Sequence, residues 1–270
     1  MQLFNCHTHS CYSHDATGTI DEICESAVKS NLSGFAVTDH CDCEYADDIK
    51  MNEALDMSYH QTEYASDKYK GKLIVAKGIE IGEALFNKAY SEKILNAYNW
   101  DVVLASVHAV RMKDFEMPFS TIDFSKHTQG FINEYIRIYF EDLAETAFST
   151  DYDILSHLTV ILRYVNYKYK READISCFMP VITDILKTVI SRNKTLEVNT
   201  SGFRDGYFMP DKDIIKLYYS MNGRNIAIGS DSHCPENISL GLYECAEFLK
   251  ETGFTHLTYY IDRKPVEYTL

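Results

Sequence analysis

The stretch Ile226-Ala227-Ile228-Gly229-Ser230-Asp231-Ser232-His233 carries a short apolar run straight into a carboxylate and an imidazole. Such a run, with no charged residue inside it, reads as a strand buried on both faces, as in a parallel sheet. The same ending recurs along the chain. Leu3-Phe4-Asn5-Cys6 leads to His7-Thr8-His9, and Gly34-Phe35-Ala36-Val37-Thr38 leads to Asp39-His40. Leu73-Ile74-Val75-Ala76 passes through Gly78-Ile79 to Glu80, and Val102-Val103-Leu104-Ala105-Ser106-Val107 reaches His108. Ile154-Leu155-Ser156 precedes His157, and Leu196-Glu197-Val198 precedes Asn199. Six of the ten histidines thus sit where a strand stops. Parallel strands share one C-terminal face, so these side chains are expected to converge on a single pocket. Imidazoles and carboxylates gathered in this way are the ligand set of a multinuclear divalent-metal site.

Helical patterns separate the strands, over 20–30, 50–69, 92–98, 128–148, 176–192, 211–221 and 241–251. Thr19 and Asp21 are capping candidates for the first of them. Repeated strand-then-helix alternation predicts an α/β protein closed as a TIM-like barrel, one domain over 1–270. An open doubly wound sheet is the alternative, but it brings fewer strand ends to one site. The length of 270 residues suits a barrel, which needs about 250. No glycine-rich loop follows the first strand, which argues against a dinucleotide or P-loop site. The stretch 257–268 reads as two strands around a turn, which either closes or braces the barrel edge or, the preferred reading, is a terminal hairpin without function.

Composition narrows the partners. An apolar fraction of 46% supports a sizeable core, and the net charge of −14 argues against nucleic acid. A phosphorylated small molecule remains compatible with that charge. No window approaches the roughly 18 to 20 apolar residues of a membrane span. Met1-Gln2-Leu3-Phe4 enters a strand at once, so a cytoplasmic location without a signal peptide is expected. The eight cysteines lie in or beside apolar segments and read as reduced thiols. Cys41 and Cys43 have no second pair to complete a structural zinc site.

His7 and His9 alternate just past a strand and point the same way. Ser232 keeps Asp231 and His233 on one side, as Thr8 does for the first pair. Glu80 ends an apolar run, where an unpaired carboxylate is costly to bury and a bridging metal role relieves that cost. His108 and His157 occupy matching positions in neighbouring repeats. Asp15, His40 and His233 look like a third cluster, with His14 as the rival of Asp15. Asp39 is placed to orient His40 through its free ring nitrogen. Arg163 and Arg204 lie in loops on the same face, and guanidinium groups match phosphate oxygens bidentately. Arg111 is a weaker candidate of that kind.

At this point the chain resembles the polymerase-and-histidinol-phosphatase (PHP) superfamily. The marks are His7-Thr8-His9, Thr38-Asp39-His40, Gly78-Ile79-Glu80, Ser106-Val107-His108, His157 and Gly229-Ser230-Asp231-Ser232-His233, in family order. Gly78-Ile79-Glu80-Ile81-Gly82-Glu83, Pro118-Phe119, Asn199-Thr200-Ser201-Gly202-Phe203-Arg204 and Lys264-Pro265-Val266-Glu267 are similar to its stand-alone histidinol-phosphate phosphatase branch. The resemblance implies a distorted (β/α)7 barrel of the PHP type with three divalent transition-metal ions, zinc, iron or manganese. His7, His9, Glu80 and Asp231 would hold the first, with Glu80 bridging to a second held by His108 and His157. Asp15, His40 and His233 would hold the third.

The activity it implies is hydrolysis of L-histidinol phosphate, a small-molecule phosphomonoester, without a covalent enzyme intermediate. A metal-activated hydroxide would attack phosphorus, Arg163 and Arg204 would bind the phosphate, and Asp231 or His233 would protonate the leaving alkoxide. Phe119 and Phe203 are candidates for the rim of the pocket, as is Glu83, which could equally belong to the start of the following helix. Three other readings compete: a PHP-type phosphoesterase acting on a nucleotide or sugar phosphate, an amidohydrolase-type enzyme, and a metal-storing protein. The second would place a lysine at a middle strand end, where this chain has Glu80. Arginine-flanked coordination argues against the third.

Overall fold

The computed structural model describes residues 2–46, 48–112 and 115–270, with the side chains of 115–117 left aside. Twelve strands are described: β1 (Phe4–Asn5), β2 (Gly34–Val37), β3 (His40–Asp42), β4 (Ile74–Gly82), β5 (Val102–Ser106), β6 (Ala109–Met112), β7 (Phe115–Pro118), β8 (Ile154–Leu155), β9 (Thr195–Asn199), β10 (Ile226–Gly229), β11 (His256–Ile261) and β12 (Lys264–Thr269). The main sheet runs β1-β2-β4-β5-β8-β9-β10, parallel throughout, with β3 continuing beside β4. Its two ends meet. Cys6 N–H donates to the Ile228 carbonyl at 2.9 Å, Asp231 N–H to the His7 carbonyl at 2.9 Å, and Thr8 forms a parallel bridge with Ser232. The result is a distorted TIM-like barrel of seven positions, as the alternation predicts.

The helices are α1 (Ile20–Lys29), α2 (Ile49–Lys68), α3 (Lys88–Ala97), α4 (Gln129–Ser149), α5 (Val160–Leu162), α6 (Met179–Ser191), α7 (Lys212–Ser220) and α8 (Leu242–Thr252). Thr19 caps α1 in a reciprocal capping box with Glu22, while Asp21 sits in the first turn. Helix α3 starts four residues before the expected 92, because the Asn87 side chain accepts from Tyr90 N–H at 3.1 Å. Helix α6 starts later than 176. A 3-10 turn, Ile175–Phe178, comes first, and Pro180 fits the opening turn that follows.

Two cores result. The larger, with Ile23, Phe35, Val103, Tyr135, Ile185 and Leu249, packs the helices on the outside of the barrel. A smaller one fills the barrel interior with Phe4, Cys6, Ala36, Ala76, Val102, Leu104, Ile154 and Ala227, and Tyr260 completes it. The β11–β12 hairpin therefore seals the N-terminal end of the barrel instead of bracing its edge. Tyr259 stacks on Phe4 with centroids 4.3 Å apart, Tyr260 pairs its hydroxyl with Thr195 at 2.8 Å, and the Tyr268 hydroxyl accepts from Phe4 N–H at 3.1 Å. The opposite end stays open for chemistry. The β6–β7 hairpin rises beside it, and α5 runs on as a π-helical turn, Arg163–Lys168. Among the described residues no helix is long and apolar enough to cross a membrane.

Candidate metal centre

The sequence-predicted ligands meet at the C-terminal mouth of the barrel. Thr8 and Ser232 bridge the closing strands, so His7 and His9 lie side by side with Asp231. The Nε2 atoms of His7 and His9 are 3.1 Å apart. Glu80 Oε2 lies 3.3 Å from His7 Nε2 and 3.5 Å from His9 Nε2; Asp231 Oδ1 lies 3.6 Å and 3.1 Å from the same atoms. A tetrahedron with metal–ligand bonds of 2.0–2.1 Å has edges of about 3.3–3.4 Å. The five edges just given, 3.1–3.6 Å, lie close to that length.

Glu80 turns its other oxygen the opposite way. Oε1 lies 2.8 Å from His157 Nε2 and 3.3 Å from His108 Nε2, and those two nitrogens are 3.4 Å apart. A third group forms above. His40 Nε2 lies 3.6 Å from Asp15 Oδ1, and His233 Nε2 lies 3.3 Å from Asp15 Oδ2. The rival His14 lines the same cavity with its ring 5.7 Å from that of His40. His9, His40 and His233 also bring ring nitrogens within 4.8 Å of one another. Asp231 holds φ at 50°, the left-handed strain of roughly 1–3 kcal/mol that functional positions tolerate.

Among the buried polar atoms without a hydrogen-bond partner are two that a metal would satisfy. Glu80 is fully buried, yet its Oε2 has no hydrogen-bond partner, and neither does His40 Nδ1, 3.0 Å away. Burial opposes charge on these groups, and for His7, His108, His233, Glu80 and Asp231 the opposite charges override it. Glu197, Glu80 and Asp231 hold the His7 pKa well above the usual imidazole value, and Glu80 and Asp42 do so for His108. Imidazoles hold Glu80 and Asp231 well below the usual carboxylate range. His233 is pushed up to about 9 by Asp15 and Asp231, while burial and the His40 and His233 rings push His9 down to about 3. A cluster that stores protons between imidazole and carboxylate is competent to exchange them for divalent cations.

Supporting contacts depart from expectation in places. Asp39 does not touch the His40 ring. Its carboxylate accepts from Ser10 N–H at 2.7 Å and from the Ser10, Ser13 and Ser58 hydroxyls at 2.6 Å, and Ser13 Oγ stands 3.1 Å from His9 Nδ1. It therefore steadies His9 through Ser13. Asp42 faces His108 Nδ1 at 3.3 Å. Glu83 is no rim residue; it is buried and accepts from the backbone N–H groups of His108 and Ala109. Glu197 also went unread: its Oε1 lies 2.8 Å from His7 Nδ1, and its Oε2 accepts from His157 N–H at 2.7 Å.

A cavity of about 550 Å³ opens over the cluster, lined by Asp15, His40, Glu80, His108, His157, Asp231 and His233, with Arg163, Tyr164, Lys168 and Phe119 in its wall. Arg163 comes from the π-helical turn and donates to Ser201 Oγ at 3.2 Å. Arg204 does not line this cavity. It sits exposed in a 3-10 turn, Phe203–Asp205, and donates to Asn237 Oδ1 at 2.7 Å. Phe203 stacks beside Phe208, 6.3 Å between centroids, and is likewise absent from the wall. Arg111 lies over the Phe86 ring at 3.8 Å, outside the lining.

Fold and site together define a parallel barrel with a cluster of candidate metal ligands at its mouth. The PHP domain family model matches residues 5–201; the chain belongs to that family. It is 28% identical to a probable histidinol-phosphatase of Thermotoga maritima, over 94% of each chain. It is 24% identical to the histidinol-phosphatase of Lactococcus lactis, covering 95% of this chain and 94% of that one. The fold is similar to the crystal structure of a histidinol phosphate phosphatase from Lactococcus lactis complexed with zinc, L-histidinol and phosphate. There the TM-score is 0.82 at 23% identity, over 98% of this chain and 99% of that one.

Proposed function

We propose that this protein is a histidinol-phosphatase, a phosphoric monoester hydrolase that converts L-histidinol phosphate to L-histidinol and phosphate in L-histidine biosynthesis. One observation carries the chemistry: Glu80 offers one carboxylate oxygen to the His7–His9–Asp231 group and the other to His108 and His157, beneath a cavity walled by Arg163. The substrate follows from near full-length likeness to relatives of that name. A cytoplasmic location goes with this reading.

His7, His9, Glu80 and Asp231 would hold one divalent ion, Glu80 with His108 and His157 a second, and Asp15, His40 and His233 a third. Asp15 is preferred to His14 because its carboxylate reaches both imidazoles. Zinc, iron and manganese all suit nitrogen-and-oxygen donors. Bound ions would supply an activated water and Lewis-acid charge for the phosphoryl oxygens.

The chain's own residues do the rest. Arg163 takes phosphoryl oxygens at the wall, where its planar fork adds orientation to charge. His233 donates Nδ1–H to the Asp231 carbonyl at 2.9 Å. With Nε2 given to a metal, it has no proton left for the leaving alkoxide. Asp231 does better: Oδ1 faces the imidazoles, while Oδ2 lies toward Ser201 Oγ at 3.5 Å on the cavity side. Its carboxyl is held well below the usual range and starts ionised, so we assign Asp231 Oδ2 a relay: it would take the proton that the attacking water releases and pass it to the leaving alkoxide. Asp42, Glu44 and Tyr45 also line the cavity and give it an acidic sector suited to an ammonium group.

Phosphate release from L-histidinol phosphate, measured beside sugar phosphates, nucleotides and p-nitrophenyl phosphate on protein of known metal content, tests the reading. A site that pairs polar groups of its substrate should give kcat/KM about a hundredfold above the panel. A flat profile on metal-loaded protein would overturn the substrate and leave a PHP phosphoesterase of another specificity.

A further inference from the structure

Glu197 lies in the middle of β9, flanked by Leu196 and Val198, and is fully buried. Neither of its oxygens faces the cavity, whose wall it does not join. Oε1 stands 2.8 Å from His7 Nδ1, and Oε2 accepts the backbone N–H of His157 at 2.7 Å. One carboxylate thus touches a candidate ligand of the first metal and the peptide that carries a candidate ligand of the second. Glu80 joins the same two histidines from the front, and Glu197 joins them from behind. Space for it is made at one point: a Cβ on Gly229 would overlap Glu197 Oε1 and come within 2.5 Å of the His7 Cβ.

We infer that Glu197 is a positioning residue that fixes the His7 tautomer and holds His7 and His157 in register. This rests on the reading of His7 and His157 as metal ligands. A carboxylate accepts and cannot donate, so it requires the proton of neutral His7 on Nδ1. The lone pair then stands on Nε2, the atom 3.1–3.6 Å from His9, Glu80 and Asp231. With the proton on Nε2 instead, His7 would turn an N–H into the cluster and bind no cation. An acceptor behind a ligating imidazole also raises its basicity. Glutamine at 197 keeps shape and volume but has one acceptor oxygen. It can serve the His157 N–H or His7 Nδ1–H, not both, and an amide N–H turned toward His7 selects the wrong tautomer.

Glu197→Gln is tested for divalent-metal content and affinity, by competition of zinc with a chromophoric chelator, beside the parent protein. Loss of an outer partner of this kind costs ten- to hundredfold in affinity, and we expect that loss with an unchanged near-ultraviolet dichroism of the metal-free form. Affinity within twofold of the parent would overturn the inference. A parent that binds no zinc would overturn the metal reading along with it. If Glu197→Gln fails to fold, imidazole nitrogen NMR on the zinc-loaded parent decides. A proton on His7 Nδ1 with Nε2 metal-bound supports the inference, and a proton on His7 Nε2 overturns it.

Discussion

Thr8 and Ser232 form a parallel bridge across the seam where the barrel closes. Each is the middle residue of a ligand triplet, His7-Thr8-His9 and Asp231-Ser232-His233. Alternate residues of an extended chain point to one face, which puts His7 and His9 together; pairing the middles then sets them beside Asp231, which itself holds a left-handed φ of 50°. Chain closure and assembly of this candidate site coincide: the two ends of the main sheet, β1 and β10, must dock for the His7–His9–Asp231 group to exist.

Glu80 is the shared member of that assembly. Glu80→Ala should lose both oxygens at once, with metal content falling by two ions per chain and phosphate release falling at least about a thousandfold, as expected for loss of charge stabilisation at the reacting group. Elemental analysis and a phosphate-release assay read the two effects. Wild-type turnover with full metal content would remove Glu80 from the bridging role.

The two arginines should separate. Arg163 stands in the cavity wall, and Arg204 is held outside it at Asn237. Arg163→Ala should raise KM about tenfold or more and weaken inhibition by phosphate to match, since a charged hydrogen bond contributes roughly 1.5–3 kcal/mol. Arg204→Ala should leave both within about twofold, as surface substitutions do. Steady-state kinetics with phosphate as inhibitor checks this; the reverse ranking would return Arg204 to the phosphate.

Most of the residues that converge at the barrel mouth are legible because they directly follow apolar runs, where the strand ends announce the residue. Glu197 is not, because it sits inside Leu196-Glu197-Val198 and alternation alone gives it no role. The available signal was energetic: a carboxylate in the middle of a buried strand demands a partner. Asp42 was missed for want of a strand in the reading, though its spacing from His40 puts both on one face of β3. Arg204 and Phe203 are absent from the cavity lining because position in a loop does not fix direction; both belong to the 3-10 turn Phe203–Asp205. The π-helical turn under Arg163 has no pattern that sequence spacing reveals.

Stability of the chelator-treated protein should vary with pH in a stated direction. His233 titrates at about 9 when folded, against roughly 6.5 unfolded. Its contribution is complete below the unfolded value and is lost as pH rises through about 9. His9, held down to about 3, acts oppositely, and its contribution is lost as pH falls from about 6.5 toward 3. The lowered carboxylates Asp15, Glu80 and Asp231 add to the acid loss. Thermal midpoints of metal-free protein should therefore fall on either side of about pH 6.5. Zinc should abolish the alkaline fall, since the ions replace the protons. A metal-free midpoint that rises between pH 7 and 9 would contradict the imidazole–carboxylate pairing.

Gly82 offers a way to disturb one half of the centre from outside the ligand set. It ends β4 opposite Asp42 in the β3 register, and a Cβ there would overlap Asp42 Oδ1 and approach His108 Nδ1 to 3.2 Å. Gly82→Ala must displace Asp42, the carboxylate that faces the His108 ring nitrogen. Freed from it, His108 should lose orientation, and the metal held with His157 should weaken about tenfold or more, as for other outer-partner losses. The His7–His9–Asp231 group has no contact with Gly82 and should keep its ion. Stepwise zinc titration should then resolve one weakened step beside unchanged ones, with kcat reduced more than KM. Equal weakening of every step would mean that the substitution acts through the barrel as a whole and not through Asp42.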